Sequence, residues 1–461
     1  MAEYNFSRTP INVPNVETQH RSIKTPIPPP GTKDIITKLE LYESRSMQGQ
    51  MPIIWDRAED FNIYDKYGNK WIDFTSTIFV ANVGHGNQNV RNAVSKVLQK
   101  PLLHSYAYVN EERVQYHEKL VEFSGHPFEK AFLLSAGTEA TEAALKLMRM
   151  NGQKVGKARL GIICIEGNWH GRTMGAQMMS GNPSQKKWIG YHDPNIHHIP
   201  FPYPWELNGK TGKEFLEKGL KSLLKSGIDL QNDVCGFMLE TFQGWGAVFY
   251  PQDFVQSIGN ICKRYNILLT FDEMQAGFGR TGKKFGYEHY KVQPDLICCG
   301  KGISSGFPLS AVIGRRDIMD LPDIGNMSST HSANPIVCSA SLATLNELER
   351  LDLINETARK GKIFIEGLND LKKKYPHRIS WILGEGLIAA ILFKLPGEKK
   401  PDHLFPSLVS EKAMQKGLLV VHTGRESIKL APPLTIPDEA LLEGITVIDE
   451  SIYEAEHISN Y

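Results

Sequence analysis

Asp272 and Lys301 combine the residue types and the settings that amine chemistry needs. An apolar run, Ile267–Phe271, ends directly on Asp272. Such a run predicts a buried strand, and its acidic end would lie at the carboxyl edge of a sheet, where α/β folds bind ligands. Lys301 comes 29 residues later, behind a second apolar run, Leu296–Cys299, and Gly300. Because the residues around it are small, we expect this lysine to be open to a ligand yet partly desolvated, which lowers its pKa and favours the free amine.

A carboxylate at one strand end and an amine at another suit pyridoxal 5'-phosphate (PLP), because a lysine forms the Schiff base and an aspartate pairs with the pyridinium nitrogen. The segments DEMQAGFGRTG, from Asp272, and PDLICCGKG, around Lys301, are followed by a turn rich in Gly and Pro. This pattern resembles the class III (ω-amino acid type) aminotransferases, which have the fold type I architecture. The resemblance implies that Asp272 is the partner of the ring nitrogen and that Lys301 is the Schiff-base lysine and proton shuttle. The alternative, a loop-capping aspartate and a solvated lysine, does not account for both motifs at this spacing.

A turn of small residues precedes a strong helix signal. The segment AFLLSAGTEATEAALKLMRMNG predicts a strand, a turn and then a helix with apolar residues at helical spacing. Backbone N–H groups at the start of a helix can bind an anion. In the resembled family this turn binds the PLP phosphate, which implies contacts from Ser135, Ala136, Gly137 and Thr138. The alternative is a capping box, with Thr138 or Ser135 as the cap.

Two further motifs of the resembled family surround the cofactor ring. The segment WHG at 169–171 stands where the family has an aromatic residue followed by His-Gly. The resemblance implies that Trp169 stacks on the pyridine ring and that His170 orders the loop. Glu240 and Gln243 match the family's Glu-Pro-x-Gln, which implies that Gln243 or Glu240 helps hold the 3-hydroxyl edge of the ring and orders Asp272. A core aromatic is the alternative for Trp169.

Two features bear on assembly. The segment STHSANP at 329–335 is similar to the family's Thr-x-x-x-Asn-Pro. The resemblance implies that Thr330 reaches the PLP phosphate of the neighbouring subunit, so that a homodimer shares its active sites. Taken alone, Thr330 is equally well explained as a helix cap. Residues 1–30 are polar and end in a proline cluster, which predicts an arm that is extended or disordered and that can lie across the partner of a dimer.

Three positions depart from the family pattern where it binds substrate. Members that use glutamate and 2-oxoglutarate carry an acid just after Gln-Gly, which gates a carboxylate-binding arginine before a Pro-Pro pair. Trp245 and Lys429 occupy these positions here. Lysine is a point charge and cannot repeat bidentate recognition of a carboxylate, which argues against a standard ornithine, acetylornithine or 4-aminobutyrate enzyme. Phe79 stands where small residues are usual, which predicts a wall that restricts the substrate; an ordinary strand phenylalanine in the core is the alternative.

The composition excludes several other classes of protein. The chain has 461 residues and a net charge of +1, so no basic field points to nucleic acid or to an anionic membrane. No apolar run approaches the ~20 residues of a membrane span, and the N-terminus has no signal-peptide core. Six cysteines without a CxxC pair predict buried thiols in a reducing, cytoplasmic compartment. The histidines at 192, 197 and 198 lack partners at ligand spacing, so no metal site is predicted.

From about residue 131 the pattern alternates strand and helix, which predicts an α/β fold with a largely parallel sheet. With the resemblance, this implies fold type I, with a large domain whose mostly parallel sheet is flanked by helices and a smaller α/β domain. The predicted divisions are an extended arm at 1–30, the N-terminal part of the small domain at 31–100, the large PLP-binding domain at 101–335 and the C-terminal small domain at 336–461.

The function that the resemblance implies is amino-group transfer. An amino acid or ω-amine would donate, and a 2-oxo acid, an aldehyde or an oxo-sugar would accept. The implied course is ping-pong: the donor amine displaces Lys301 from its aldimine, and Lys301 then moves a proton from Cα to C4′. Racemisation or epimerisation, aminomutation and decarboxylation stay open, because the same lysine and aspartate serve them. A protein that binds the cofactor without catalysis is a third alternative, which the intact Lys301 and Asp272 disfavour.

Overall fold

A computed structural model describes residues 4–47, 49 and 51–458. The ends of the predicted arm and C-terminal domain, residues 1–3 and 459–461, lie outside the described residues. The helices are α1 Thr32–Glu40, α2 Ser76–Phe79, α3 Gln88–Leu98, α4 Glu111–Ser124, α5 Gly137–Lys154, α6 Met174–Met179, α7 Gly212–Lys225, α8 Leu230–Asp233, α9 Gln252–Tyr265, α10 Arg316–Met319, α11 Pro335–Arg350, α12 Leu353–Lys374, α13 Phe405–Gln415 and α14 Asp438–Ile458.

The strands are β1 Val16–Glu17, β2 Ser22–Ile23, β3 Arg57–Glu59, β4 Asn62–Tyr64, β5 Lys70–Asp73, β6 Lys130–Leu134, β7 Gly161–Ile165, β8 Ile196–Ile199, β9 Val234–Glu240, β10 Phe242–Gln243, β11 Val248–Phe249, β12 Leu268–Asp272, β13 Leu296–Cys299, β14 Ser310–Gly314, β15 Ile379–Glu385, β16 Ile388–Phe393, β17 Leu418–Leu419, β18 Val421–His422 and β19 Ser427–Leu430.

The described residues form two compact units. The flanking unit holds those within 1–87, 245–247 and 355–461, and the central unit holds those within 88–244 and 248–354. This grouping places α3 in the central unit. The domain boundaries at 30, 100 and 335 stay predictions.

The central unit is built on a seven-stranded sheet in the order β6-β14-β13-β12-β9-β7-β8. The neighbouring strands from β13 to β8 are all parallel, and β14 alone runs against both of its neighbours. The strands β7, β9, β12 and β13 are buried along their whole length, as expected for a sheet that is covered on both faces. The prediction of a mostly parallel sheet is therefore confirmed.

Helix α5 shows why the strand–helix alternation folds this way. Its apolar residues recur every three or four positions and are buried together with residues of the sheet. They are Ala140, Ala143, Ala144, Leu147 and Met148. Because one face of a helix must be removed from water, this stripe fixes α5 on the sheet and its first turn just beyond the end of β6.

The flanking unit contains two smaller sheets. One has the order β1-β2-β5-β4-β3 with β17 beside β5, and the other is the antiparallel sheet β15-β16-β19-β18. Residues 4–30 are extended and lie on their own chain. Tyr4 donates a hydrogen bond from its hydroxyl to Glu411, and the ring of Phe6 meets that of His422 edge-on, with centroids 5.0 Å apart. The segment then pairs into the sheet through β1 and β2.

Helix α2 is a left-handed turn. Its four residues have φ of 45°, 52°, 64° and 71°, a region that ordinary side chains seldom adopt. The turn is bound on both sides: Asp73 Oδ1 accepts from the N–H and hydroxyl of Thr75, at 2.7 and 2.6 Å, and Ser76 Oγ donates to the carbonyl of Ala431 at 2.6 Å. The alternative of a strand phenylalanine in the core is wrong about the strand, because these contacts turn the chain where its residue types favour extension, but the side chain of Phe79 is buried, as that alternative predicted.

Candidate active site

Asp272 is the last residue of β12 and lies between two parallel neighbours. It is in register with Glu240 at the end of β9 and with Cys298 in β13. The residue is 5% exposed. Its Oδ1 accepts the N–H of Met274 at 3.0 Å, and its Oδ2 accepts from Nδ1 of His170 at 2.9 Å. The carboxylate is thus fixed at the carboxyl edge of the sheet.

Lys301 follows β13 at the same edge of the sheet. It begins a short 3-10 turn and has φ of 48°, a left-handed backbone for a residue with a side chain. Burial lowers the pKa of the Lys301 ammonium, and the negative charges of Asp272 and Glu240 oppose this shift. Strained residues are concentrated at functional sites, so the backbone and the electrostatics single out this lysine together.

The turn from Ser135 to Thr138 lies at the start of α5, where helix geometry leaves the first N–H groups without intrahelical partners. Two of the four amides are already bound, because the carboxylate of Glu139 accepts from Ser135 N and Ala136 N at 2.8 Å each. The amides of Gly137 and Thr138 belong to the helix itself. The Thr138 hydroxyl lies 2.6 Å from that of Thr173. An anion would therefore be bound by Gly137 and Thr138 rather than by all four amides.

Trp169, Glu240 and Gln243 are joined through backbone groups. The N–H of Trp169 donates to Glu240 Oε2 at 2.9 Å, and the amide of Gln243 donates to the carbonyl of Glu166 at 3.0 Å. The guanidinium of Arg172 stands 4.6 Å from the centre of the Trp169 ring. Glu240 therefore fixes the loop after β7, and in this structure it is His170 that contacts Asp272.

Glu273, the residue after Asp272, was not singled out from the sequence. It is fully buried and accepts from the hydroxyl of Thr241 at 2.6 Å and from the N–H groups of Gly286 and Tyr287 at 2.8 Å each. Burial raises the pKa of Glu273 to about 7, and these hydrogen bonds oppose the shift. Its side chain fixes the loop after β12, so we assign it a structural role.

Thr330 is exposed, and its carbonyl lies 2.6 Å from Nε2 of His104. The N-cap of α11 is Asn334, whose side chain accepts the N–H of Val337 at 3.0 Å. The helix-cap alternative for Thr330 is therefore wrong.

The three residues predicted to contact substrate belong to the flanking unit. The ammonium of Lys429, on β19, stands 4.5 Å from the centre of the Phe79 ring. Both residues are buried. Trp245 is half-buried and carries the guanidinium of Arg425 at 3.8 Å from its ring centre. Each of the three residues that depart from the family pattern therefore takes part in a cation–ring pair. Lys429 pairs with Phe79, and Trp245 pairs with Arg425.

One contact could not be predicted from the sequence. His170 contacts Asp272 although 102 residues separate them, and no local pattern signals such a pair. Among the described residues, no group of three or more His, Cys, Asp or Glu is arranged to bind a metal ion, and no helix there is long and apolar enough to cross a membrane.

Comparisons with known proteins identify the family of this chain. The sequence model of the class-III aminotransferases matches residues 44–452. An acetylornithine aminotransferase of Caldanaerobacter subterraneus is 30% identical over 420 residues, 90% of this chain and 98% of that protein. An isoleucine 2-epimerase of Lentilactobacillus buchneri is 29% identical over 435 residues, 92% and 95% of the two chains. Among solved structures, a Bacillus anthracis aminotransferase has a TM-score of 0.84 at 25% identity and covers 92% of this chain and 98% of its own.

Proposed function

This chain belongs to the class III aminotransferase family and is a transaminase, and we propose that Lys301 and Asp272 carry its chemistry together with bound pyridoxal 5'-phosphate. One observation carries the proposal. Two groups meet at one edge of the sheet in the central unit. Lys301, whose pKa is lowered by burial, follows β13, and Asp272, whose carboxylate accepts a hydrogen bond from His170, ends the neighbouring strand β12.

The residues at this edge fit the cofactor. The amides of Gly137 and Thr138 suit its phosphate, Asp272 suits its ring nitrogen, and Trp169 supplies an aromatic surface for a flat ring. Close packing supports the same assignment. A Cβ on Gly171 would lie 2.3 Å from Oγ1 of Thr138, and a Cβ on Gly300 would lie 2.4 Å from the sulfur of Met274. Larger residues at these glycines would displace the side chains of Thr138 and Met274.

The chain's own residues then divide the work. When bound, PLP supplies an electron sink for the donor carbon. Lys301 Nζ would accept the proton from that carbon and deliver it again, which its lowered pKa assists because more of the amine is free to act as a base. Asp272 would hold the proton on the ring nitrogen, and the Nδ1–H of His170 would fix the orientation of that carboxylate. Glu240 would hold the Trp169 loop against the ring.

The substrate pair is an amino donor, either an amino acid or an ω-amine, and an oxo acid or aldehyde acceptor. Phe79, Trp245 and Lys429 would contact it. We do not extend the acetylornithine specificity of the relative to this chain, because Trp245 and Lys429 replace the acid and the arginine of the usual carboxylate gate. An oxo-sugar acceptor is compatible with the same replacement.

Epimerisation of an amino acid is the second candidate. It is worth testing because the isoleucine 2-epimerase relative matches over nearly the whole chain and epimerisation needs the same lysine and aspartate, although the acetylornithine, 4-aminobutyrate and ornithine aminotransferases among the relatives favour transamination. It would differ from transamination in requiring no oxo acid.

We propose a homodimer that shares its active sites. A stretch of the central unit from the end of α3 to the start of α4 exposes several large apolar side chains, namely Leu98, Leu102, Leu103, Tyr106, Tyr108 and Val109. Exposed apolar patches often mark protein–protein interfaces. The stretch contains His104, which contacts Thr330. A second copy bound at this stretch would therefore also lie near Thr330, the residue predicted to reach the PLP phosphate of that second copy.

We also place the protein in the cytoplasm. All six cysteines are free and buried, as is usual in a reducing compartment.

The test is the visible absorption of the purified protein loaded with PLP and titrated with glutamate, alanine, ω-amino acids and amino sugars. We expect one donor to bleach the cofactor band and an oxo acid to restore it. Lys301→Ala should lower turnover by at least about a thousandfold, since general acid–base catalysis alone contributes on this scale, whereas Lys283→Ala, which removes an exposed lysine, should not. Full turnover by Lys301→Ala would refute the proposal. Inversion of an amino acid without any oxo acid would favour the epimerase instead.

A further inference from the structure

One buried hydroxyl of the central unit lies between the two ends of the proposed cofactor site. Thr141 is on α5, one turn after Gly137 and Thr138, and it is fully buried. Its Oγ1 donates to the carbonyl of Thr138 at 3.0 Å and to the carbonyl of His170 at 2.7 Å. A hydroxyl has a single hydrogen, so the shorter bond, to His170, takes the larger share of it. Thr141 therefore connects the turn that suits the phosphate with the residue that contacts Asp272.

The segment that carries His170 is fixed to α5 at a second point. The carboxylate of Glu142, on α5, accepts from the hydroxyl of Thr173 at 2.6 Å and from the N–H of Gly175 at 2.9 Å. Glu142 thus holds the far part of the segment, whereas Thr141 holds His170 itself. The position of His170 relative to the first turn of α5 therefore depends most directly on Thr141.

The other bonds of His170 lead to different elements. Its N–H donates to Oγ of Ser180, at the end of α6, at 2.8 Å, and its Nδ1 bonds to Asp272, at the end of β12, at 2.9 Å. The helix α5 is placed on the sheet by its own apolar stripe. These contacts fix His170 on α6 and β12 and fix α5 on the sheet, but they do not join His170 to α5. The bond from Thr141 does.

We propose that Thr141 is a positioning residue that sets the spacing between the phosphate-binding turn and the residues that would face the cofactor ring. A ligand bound at both ends gains affinity from the second end only when the two binding groups are held at the matching separation. Pyridoxal 5'-phosphate is such a ligand, because its phosphate would lie at Gly137 and Thr138 and its ring nitrogen at Asp272. This inference rests on the proposed function, since it concerns the cofactor of that reaction.

The experiment measures the dissociation constants of three ligands for the full-length apoprotein by calorimetric titration. They are pyridoxal 5'-phosphate, pyridoxal, which has the ring without the phosphate, and inorganic phosphate. We expect Thr141→Val, which keeps the shape and removes the hydroxyl, to weaken binding of pyridoxal 5'-phosphate roughly 10- to 30-fold. Binding of pyridoxal and of inorganic phosphate should change less than about twofold, because each uses one end of the site. Thr141→Ser keeps the hydroxyl and should bind all three ligands as the wild type does.

The matched control is Thr344→Val. Thr344 is equally buried, and its hydroxyl donates to the carbonyl of Ala340 within its own helix, α11, at 2.9 Å. This variant should bind all three ligands as the wild type does. If Thr141→Val does not fold, Thr141→Ala removes the same hydroxyl and is judged by the same comparison.

A threonine with a purely structural role would weaken the three ligands alike, or would lower the melting temperature and leave all three affinities unchanged. Either result for the Thr141 variants overturns the inference. If the wild type binds no pyridoxal 5'-phosphate, the proposed function itself fails. If the wild type binds it and the loss of the Thr141 hydroxyl has no selective effect, only this inference fails.

Discussion

At Asp272, two hydrogen bonds decide where each carboxylate oxygen points. Oδ1 accepts from the backbone of Met274, and Oδ2 accepts from His170. A carboxylate can only accept, so His170 carries a proton on Nδ1. Its Nε2 is buried and has no hydrogen-bond partner among the described residues. The ring is therefore held by one hydrogen bond, and the orientation of Asp272 depends on it.

Removal of that bond should affect the reaction more than the fold. We expect His170→Leu to lower the maximal rate of the donor half-reaction about 10- to 100-fold, as a hydrogen bond to a charged group is worth about 1.5–3 kcal/mol. The absorption band of the bound cofactor should shift, since its ring nitrogen loses an ordered partner. His170→Asn can still donate and should retain more of the rate. A purely structural histidine would lower the melting temperature and leave the band of the folded protein in place.

The positions of Asp272 and Lys301 at strand ends could be predicted from the sequence, but the contacts of their side chains could not. Asp272 and Lys301 each follow an apolar run, and position at a strand end is a local property. The pairing of Asp272 with His170 depends on how β7 and β12 are placed in the sheet, which the local sequence does not encode. The roles of the cofactor-binding residues stay predictions until a ligand is bound.

The conformation of α2 opposes the preferences of its own residues. Serine, threonine, isoleucine and phenylalanine occupy four successive left-handed positions, and the strain is about 1–2 kcal/mol for each such residue. Backbone hydrogen bonds close the turn, with the N–H groups of Ile78 and Phe79 both donating to the carbonyl of Thr75, at 2.9 and 3.0 Å. The turn places Phe79 beneath the ammonium of Lys429.

Glycine usually lowers the stability of a helix, but we expect it to stabilise this left-handed turn. Ile78 is 44% exposed, so Ile78→Gly relieves the left-handed strain with little loss of packing, and we expect the free energy of unfolding to rise by about 0.5–1 kcal/mol. Ile35 is similarly exposed, at 41%, within the ordinary helix α1. There Ile35→Gly should lower the same quantity by about 1 kcal/mol. Urea unfolding of the two variants gives the comparison, and a loss of stability in both would contradict the strain assigned to α2.

Across the whole molecule, the order of the strands decides which distant residues meet. Because β13, β12, β9 and β7 are parallel neighbours, the residues that follow them arrive at one edge. Alternation of strands and helices was enough to predict this sheet, since a buried parallel strand reads as a continuous apolar run. The grouping of Phe79, Trp245 and Lys429 brings together three distant segments of the flanking unit, and sequence spacing carries no signal for it.

The proposed dimer gives a prediction at this scale. Leu103 is 59% exposed within the apolar stretch next to Thr330, and Leu224 is 49% exposed at the end of α7. A charge in a buried dimer interface is strongly unfavourable, so Leu103→Glu should yield monomers and lose activity in parallel. Leu224→Glu should remain a dimer with full activity. Sedimentation and turnover at matched concentrations test this, and an active dimeric Leu103→Glu would show that the second copy does not bind at this stretch.

The left-handed turn has a consequence for how this chain can change over generations. Asp73 binds Thr75 just before the turn, and within the turn the hydroxyl of Ser76 donates to the carbonyl of Ala431, so the side chain of Phe79 is not part of these anchors. Replacement of Phe79 therefore changes the residue beneath Lys429 while leaving the anchors in place. Under the proposed function, in which Phe79 contacts substrate, selection can act on substrate preference at this position without first finding a new fold.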